Sequence, residues 1–298
     1  MSSTKNVAKP KLACEIAADR VLAGRIVDHG VGLDACAASE LAPGSVVPDL
    51  VENNLRQRGA VRNGIESALG SVGGRSKDVI AIVPDAAVRV MLVEFDTLPS
   101  DQQEALGVVR FRLKKSLPFD VDKAKVSYHA QKLGDEVRVV AAVALGTVIE
   151  DYEAAFRDAG FNPGVVLPST LAALGAAEGK KPTLVVKVDA HTTSIAILNE
   201  DRLQLFRTLE NTRGVTISGE QLAEEVYPSV VFFQDTYHLN IEQIYVAGLP
   251  ESGGAAPALQ AQTGAEVQEL VSSSQLGTTA GGSVPRWRMA GVLGALIS

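Results

Sequence analysis

Twice in this chain an apolar strand runs into a short polar break and out into a second strand: "KLACEIAADRVLAGRIV" at 11–27 and "PTLVVKVDAHTTSIAIL" at 182–198. Apolar runs of this length, bounded by turn residues, read as strands covered on both faces. The segments after the two hairpins are also alike. A third strand comes next ("GLDACAASEL" at 32–41, "RLQLFRTLE" at 202–210), then a turn, a helix and a further strand. Two halves with one outline imply a two-lobed α/β fold with a cleft between the lobes. Facing β-turns in such a cleft can offer backbone N–H groups to a phosphate. The G-x-G-x-x-G signature of a dinucleotide fold is missing.

With 298 residues, 46% of them hydrophobic, the chain can build a large core or two medium domains. Its formal net charge of −7, from 35 acidic and 28 basic residues, argues against a nucleic-acid binder, whose affinity rests on neutralised phosphates. Cys14 and Cys36 stand alone, which points to a reducing compartment and to neither a disulfide framework nor a metal site. Cys14 reads as a small core hydrophobe. The start lacks the apolar segment of a signal peptide, and no apolar run is long enough to span a membrane. "MAGVLGALIS" (289–298) reads as a packed helix, with a membrane-surface anchor as the alternative.

Between the hairpins, Val51, Leu55, Ile65 and Leu69 keep a broken helical period, and strands are expected at 79–83 and 88–95. "SDQQEALGVVRFRLKKSLPF" (100–119) is the clearest helix. Ser100 and Gln103 have capping-box spacing, Leu106, Val109, Leu113 and Leu117 form one stripe, and Pro118 ends it. A hairpin should turn at Gly134–Asp135, and a helix should start at Thr147 with Glu150 completing a box. A strand and helix follow within 164–179, with Pro163 and 179–182 as subdomain edges. In the second half, Ser218 and Gln221 cap another helix, whose interior Pro228 implies a kink or two helices in succession. A weak helix and strand fit 258–270, "SSSQLGTTAGGS" reads as a flexible loop, and the first dozen residues as a loose tail.

The block "VIAIVPDAAVRVMLVEFDTLPSDQQEALGVVRFRLKKSLPFDVDKAKVSYHAQ" (79–131) resembles the type IV pilus assembly protein PilM family. In that family two strands flank a proline, and the next helix ends in "PF" before an acidic pair. The turn region 184–198, "IEQIYVAGLP" (241–250) and the final helix are similar in position and outline. The resemblance covers most of 11–298. It implies the actin-like ATPase fold, which is ribonuclease H-like and is shared with the division protein FtsA and the cytoplasmic domain of the secretion protein GspL. On that scheme 11–85 is the first part of lobe one, 86–160 an inserted α/β subdomain and 161–270 lobe two, with 284–298 a helix returning to lobe one. The helical subdomain of lobe two is expected to be reduced or absent, because Gly214 leads almost directly into "EQLAEEVYP".

The resemblance further implies a cytoplasmic scaffold, peripheral at the inner membrane. Its partner would be a short cytoplasmic peptide of a bitopic, PilN-like pilus protein, with pilus motor components as possible further partners. That peptide would lie in a groove of lobe one and the inserted subdomain, around Arg89–Phe95 and the 101–119 helix. Actin-like ATPases clamp phosphates between two Asp-x-Gly turns. Here Glu15 and Ala17 stand at the first, and Lys187, Asp189 and Thr193 at the second, so only the threonine keeps its type. Lys187 puts a cation where a metal-orienting carboxylate belongs. Of the glycine pair beside adenine, Gly248 remains and Leu249 replaces its neighbour. No cofactor is therefore expected, with ATP and Mg²⁺ as the alternative.

His191, Thr192 and Thr193 are either a phosphate or metal site or a turn whose side chains cap their own backbone. His29, His129 and His238 read as surface or turn residues. The cluster Arg110, Arg112, Lys114, Lys115 is either a solvated face or a surface for anionic lipid or an acidic partner. The competing functions are a working ATPase of the same fold, a GspL-like secretion component, and a sugar kinase, for which no catalytic aspartate stands out.

Overall fold

The computed structural model describes residues 9–27, 32–134, 136–250, 254–276 and 284–298. The first eight residues of the tail, His29, Asp135 and 277–283 of the expected loop lie outside these.

Both hairpins become the centre of a sheet. In lobe one, β1 (Leu12–Ile16) pairs antiparallel with β2 (Arg20–Arg25), and β2 with β3 (Ala35–Glu40). On its other side β1 pairs parallel with β4 (Asp78–Val83), and β4 with β8 (Asn162–Pro168). Lobe two repeats this. Strand β9 (Thr183–Val188) pairs antiparallel with β10 (Thr192–Asn199), which pairs with β11 (Arg202–Glu210). Its parallel side is β12 (Gln243–Ala247) and then β13 (Glu266–Glu269). The orders are β3-β2-β1-β4-β8 and β11-β10-β9-β12-β13. Strands β1 and β9 are buried along their whole length, because each sheet is covered on both faces.

On the outer face of sheet one lie α1 (Arg58–Val72) and α3 (Gly146–Asp158), with Tyr152 and Phe156 fully buried. Each such side chain contributes about 1.5–3 kcal/mol on burial. Lobe two packs α5 (Gly219–Tyr237) and α6 (Ala255–Thr263) on its outer face. A shared core joins the inner faces. Ile80 and Ile82 from sheet one, Val185 and Ala196 from sheet two, and the helices α4 (Ser169–Ala173) and α7 (Ala290–Ile297) meet there. Helix α7 packs on β1 and β2. Its approach to α4 needs glycine: a Cβ on Gly294 would stand 2.2 Å from the Ala172 carbonyl oxygen.

The inserted unit is an antiparallel sheet in the order β5-β7-β6, made of β5 (Arg89–Phe95), β6 (Ala124–Leu133) and β7 (Glu136–Leu145). Helix α2 (Gln102–Leu113) covers one face through Val109 and Leu113. The other face meets β11: Leu92, Val140 and Phe206 all pack against the shared core, and Arg138 Nη1 donates to Gln204 Oε1 at 2.5 Å. The expected span 86–160 thus encloses α3, which packs in lobe one. The expected lobe two from residue 161 likewise encloses β8, which belongs to sheet one.

Several local expectations change. Helix α1 begins at Arg58, because Asp49 and the Asn residues before it take the backbone into turns. Asp49 Oδ1 accepts from Val51 N at 2.7 Å and Glu52 N at 2.8 Å. The cap of α2 is Asp101, not Ser100, and accepts from Gln103 N and Glu104 N. Thr147 lies inside α3, which has no side-chain cap. The Ser218–Gln221 box forms in both directions, and α5 continues through Pro228 as one helix. Pro228 and Glu224, whose carbonyl loses its donor, are both exposed, so water can replace the bond. Residues 211–218 alone join β11 to α5, and no helical subdomain stands between them.

Candidate functional site

The C-terminal ends of β1 and β9 face each other across the cleft and bring Glu15 and Lys187 together. Both are buried, at 2% and 4% exposure. Lys187 Nζ lies 2.5 Å from Asp189 Oδ2 and 3.5 Å from Glu15 Oε1. The Ser169 hydroxyl, from α4, donates to Glu15 Oε1. Glu15 Oε2 has no hydrogen-bond partner and faces α7, where a Cβ on Gly291 would stand 2.5 Å away. Asp85, just past β4, accepts from Thr170 N at 2.9 Å, Thr170 Oγ1 at 2.5 Å and Ser194 Oγ at 2.8 Å.

This cluster sets its own charges. Burial pushes the Glu15 carboxyl above the usual carboxylate range, and Asp189 and Asp85 add to that against the pull of Lys187. Burial alone would lower the Lys187 ammonium, but the carboxylates of Asp189, Glu15 and Asp85 outweigh it and hold the amine above its ordinary range. The Lys187–Asp189 ion pair thus stands beside a Glu15 carboxyl whose hold on its proton is strengthened by burial. The Cys14 thiol, also pushed up by burial, behaves as core.

Little space is left. Glu15, Ala17, Lys187, Asp189, Gly248 and Trp287 line a cavity of about 10 Å³. That is about the size needed for one water. On the other side of Glu15 and Asp189, Ala18, Pro84, His191 and Thr192 line a second cavity of about 20 Å³.

Of the residues singled out from sequence, Glu15, Lys187, Asp189 and Gly248 share the first cavity, and Thr192 borders the second. Thr193 and Gly214 meet elsewhere, on Asn211. That amide donates to Thr193 Oγ1 at 3.1 Å and accepts from Gly214 N at 2.9 Å. The turn 189–192 closes on itself, Asp189 N donating to Thr192 O at 2.8 Å, and His191 is exposed. Gly248 (φ 82°) packs a turn: a Cβ would fall 1.8 Å from the Val188 carbonyl oxygen. His129 is exposed, and so is His238, which ends α5 in the left-handed region. Among the described residues no cluster of His, Cys, Asp and Glu is placed to hold a metal. Sequence reasoning missed Asp85, Ser169, Ser194 and Asn211. For Asp85 a signal existed, since it follows Pro84 at the end of a strand that is apolar from Val79 to Val83.

A larger concavity lies between lobe one and the insert. Arg110, Lys125, Ser127, Ile149, Val166 and Pro168 are among the walls of a groove of about 360 Å³. Strands β6 and β8 border it, and each is the outermost strand of its sheet. Of the expected partner surface, only Arg110 lies in this groove. Val90 and Arg89 of β5 line a different cavity, of about 470 Å³, with Phe206 and Arg207 of β11.

No protein-family model matches the chain, and no curated protein matches it. Solved structures do. A PilM–PilN type IV pilus biogenesis complex aligns at 19% identity, over 97% of this chain and 97% of that one, with a TM-score of 0.76. The cytoplasmic domain of EpsL, an inner membrane component of the type II secretion system of Vibrio cholerae, aligns at 11% identity (96% and 94%, TM-score 0.55). The ethanolamine utilization protein EutJ from Carboxydothermus hydrogenoformans aligns at 10% (98% and 91%, TM-score 0.54). A Bacteroides thetaiotaomicron protein with an actin-like ATPase fold and unknown function aligns at 10% (86% and 89%, TM-score 0.50). The fold is the two-lobed actin-like one, and the chain resembles PilM.

Proposed function

We propose that this protein is a scaffold of a type IV pilus assembly complex that holds the cytoplasmic tail of a PilN-like inner-membrane protein, with a nucleotide site that has decayed. The groove between lobe one and the insert carries this reading. It is lined mainly by apolar residues, about 360 Å³ in volume and bordered by two edge strands. An extended peptide can add to such an edge by main-chain hydrogen bonds, with side chains seated in the pocket. A solved structure that aligns over 97% of this chain at a TM-score of 0.76 is a PilM–PilN complex. The protein would sit in the cytoplasm and reach the inner membrane through that partner. Among the described residues no helix is long and apolar enough to cross a membrane.

A magnesium nucleotide does not fit the residues at the cleft. Lys187 sits where a carboxylate would orient the metal, Thr193 is engaged by Asn211, and about 10 Å³ is far less than a phosphate chain needs. The internal pair Lys187–Asp189 supplies the opposite charges that metal and phosphate would bring.

One calorimetric series tests both parts. Synthetic N-terminal peptides of PilN-like proteins should bind, and Ser127→Trp, which fills the groove from an exposed position, should weaken binding at least about tenfold, or 1.4 kcal/mol. Equal binding by Ser127→Trp, or binding only by tails of type II secretion components, would overturn the pilus reading. ATP with Mg²⁺ should give no heat. Micromolar ATP binding lost in Thr193→Ala would instead establish a working nucleotide site.

A further inference from the structure

Helix α2 buries one face, through Ala105, Val109 and Leu113. Its opposite face carries Phe111, 81% exposed, with Val108 beside it at 38%. On a helical projection Phe111 points away from the buried stripe, and Arg112, Lys114 and Lys115 surround it on the last turn and the 3-10 turn that continues it. All three cations are exposed, and none makes a hydrogen bond or ion pair among the described residues. Arg110 differs: it turns inward, donating to the carbonyls of Val121 and Ala124, and reaches the groove.

The charge here runs against the rest of the molecule. A chain of net charge −7 carries, over 102–116, four cations and the single anion Glu104. The acids nearest in sequence beyond are Asp101, occupied in capping the start of α2, and Asp120, occupied in capping the turn at 121–123. Phe111 protrudes from the exposed side of α2, framed by an arginine and two lysines that have no acidic partner among the described residues. That is the composition of a helix that rests at a lipid interface, the ring at the boundary of headgroups and acyl chains and the cations among headgroup phosphates.

We propose that the outer face of α2, Phe111 framed by Arg112, Lys114 and Lys115, docks on an anionic phospholipid surface. This goes beyond the scaffold reading and does not require it. The two are compatible in space, because Arg110 of the same helix lines the groove. A tail held there would leave beside a face already turned to the bilayer.

The test uses the full chain and vesicles, with no peptide present. Phosphatidylcholine vesicles containing phosphatidylglycerol should sediment the protein, and phosphatidylcholine alone should not. High salt should weaken the binding, as screened charges require. Lys114→Glu with Lys115→Glu, and separately Phe111→Ser, should each reduce binding at least about tenfold. Unchanged melting temperatures would confirm folding, and unchanged groove affinity for the PilN-like peptide would keep this result separate from the scaffold reading. Phe111→Trp should give a blue-shifted emission on the anionic vesicles alone. Equal sedimentation with both vesicle types, none with either, or binding indifferent to both the charge-reversed double variant and Phe111→Ser would overturn the proposal. Retention on immobilised polyglutamate without vesicle binding would assign the face to an acidic protein instead.

Discussion

Glu15 has one carboxyl oxygen on the Ser169 hydroxyl and the other without a hydrogen-bond partner, and almost no water reaches either. Such a group keeps its proton past the pH at which a free glutamate loses it. The native state then binds a proton that the unfolded chain has released. The stabilisation is complete below the usual carboxylate range and is lost as pH rises through the raised value. Glu15→Gln fixes the neutral form. The variant should melt with the parent at about pH 4 and several degrees above it at about pH 8, since only the parent must ionise or hold a proton at a cost. Melting curves that stay parallel would mean Glu15 is ionised in the fold. At this scale the sequence was informative about position and poor about partners. Glu15, Lys187 and Asp189 could be placed facing one another because strand ends on a shared cleft must meet. Nothing in the neighbourhood of Ser169 or Asn211 announced that they would satisfy Glu15 and Thr193.

Helix starts separate what spacing can tell from what it cannot. Ser218 with Gln221, Thr147 with Glu150 and Ser100 with Gln103 all have the same spacing, and only the first forms a box. A cap residue must itself be non-helical. Strand β7 passes directly into α3, so Leu145 takes the extended position and Thr147 is already helical. At α2 the extended residue is Asp101, whose carboxylate reaches two N–H groups at 2.9 and 3.0 Å. Asp101→Ala should cost about 1 kcal/mol in urea unfolding, and Ser100→Ala close to nothing. The reverse order would return the cap to Ser100. The buried strands were legible because continuous apolar runs admit few alternatives. The start of α1 was not, since Asp49 and Asn54 bind backbone groups that a helical period cannot reveal.

The two-lobed plan follows from the repeated hairpins, which become the antiparallel halves of two sheets with one topology. The limits of the insert were harder to place, because chain order and spatial order part company there. The chain leaves lobe one after β4, builds three strands and α2, then returns through α3 and β8. What unites the lobes is the core around α4 and α7, where backbones meet too closely for side chains. Gly294→Ala would drive a methyl into the Ala172 carbonyl, and overpacking of this kind should cost about 2–3 kcal/mol in urea unfolding. Gly70→Ala on α1 meets nothing within 4 Å and should be neutral or stabilising by up to about 1 kcal/mol. Equal effects at the two sites would mean the α4–α7 contact yields easily.

Helix α7 also sets a schedule for the newborn chain. It covers β1, β2 and Glu15, yet roughly 275 residues of synthesis separate it from β1. At elongation rates of about 5–20 residues per second, β1 waits something like 14–55 seconds for this cover. The insert, whose strands and helix lie within 89–145, can finish first. Lobe one, begun earliest, is completed last, and during that wait its apolar inner face is the natural target for a chaperone.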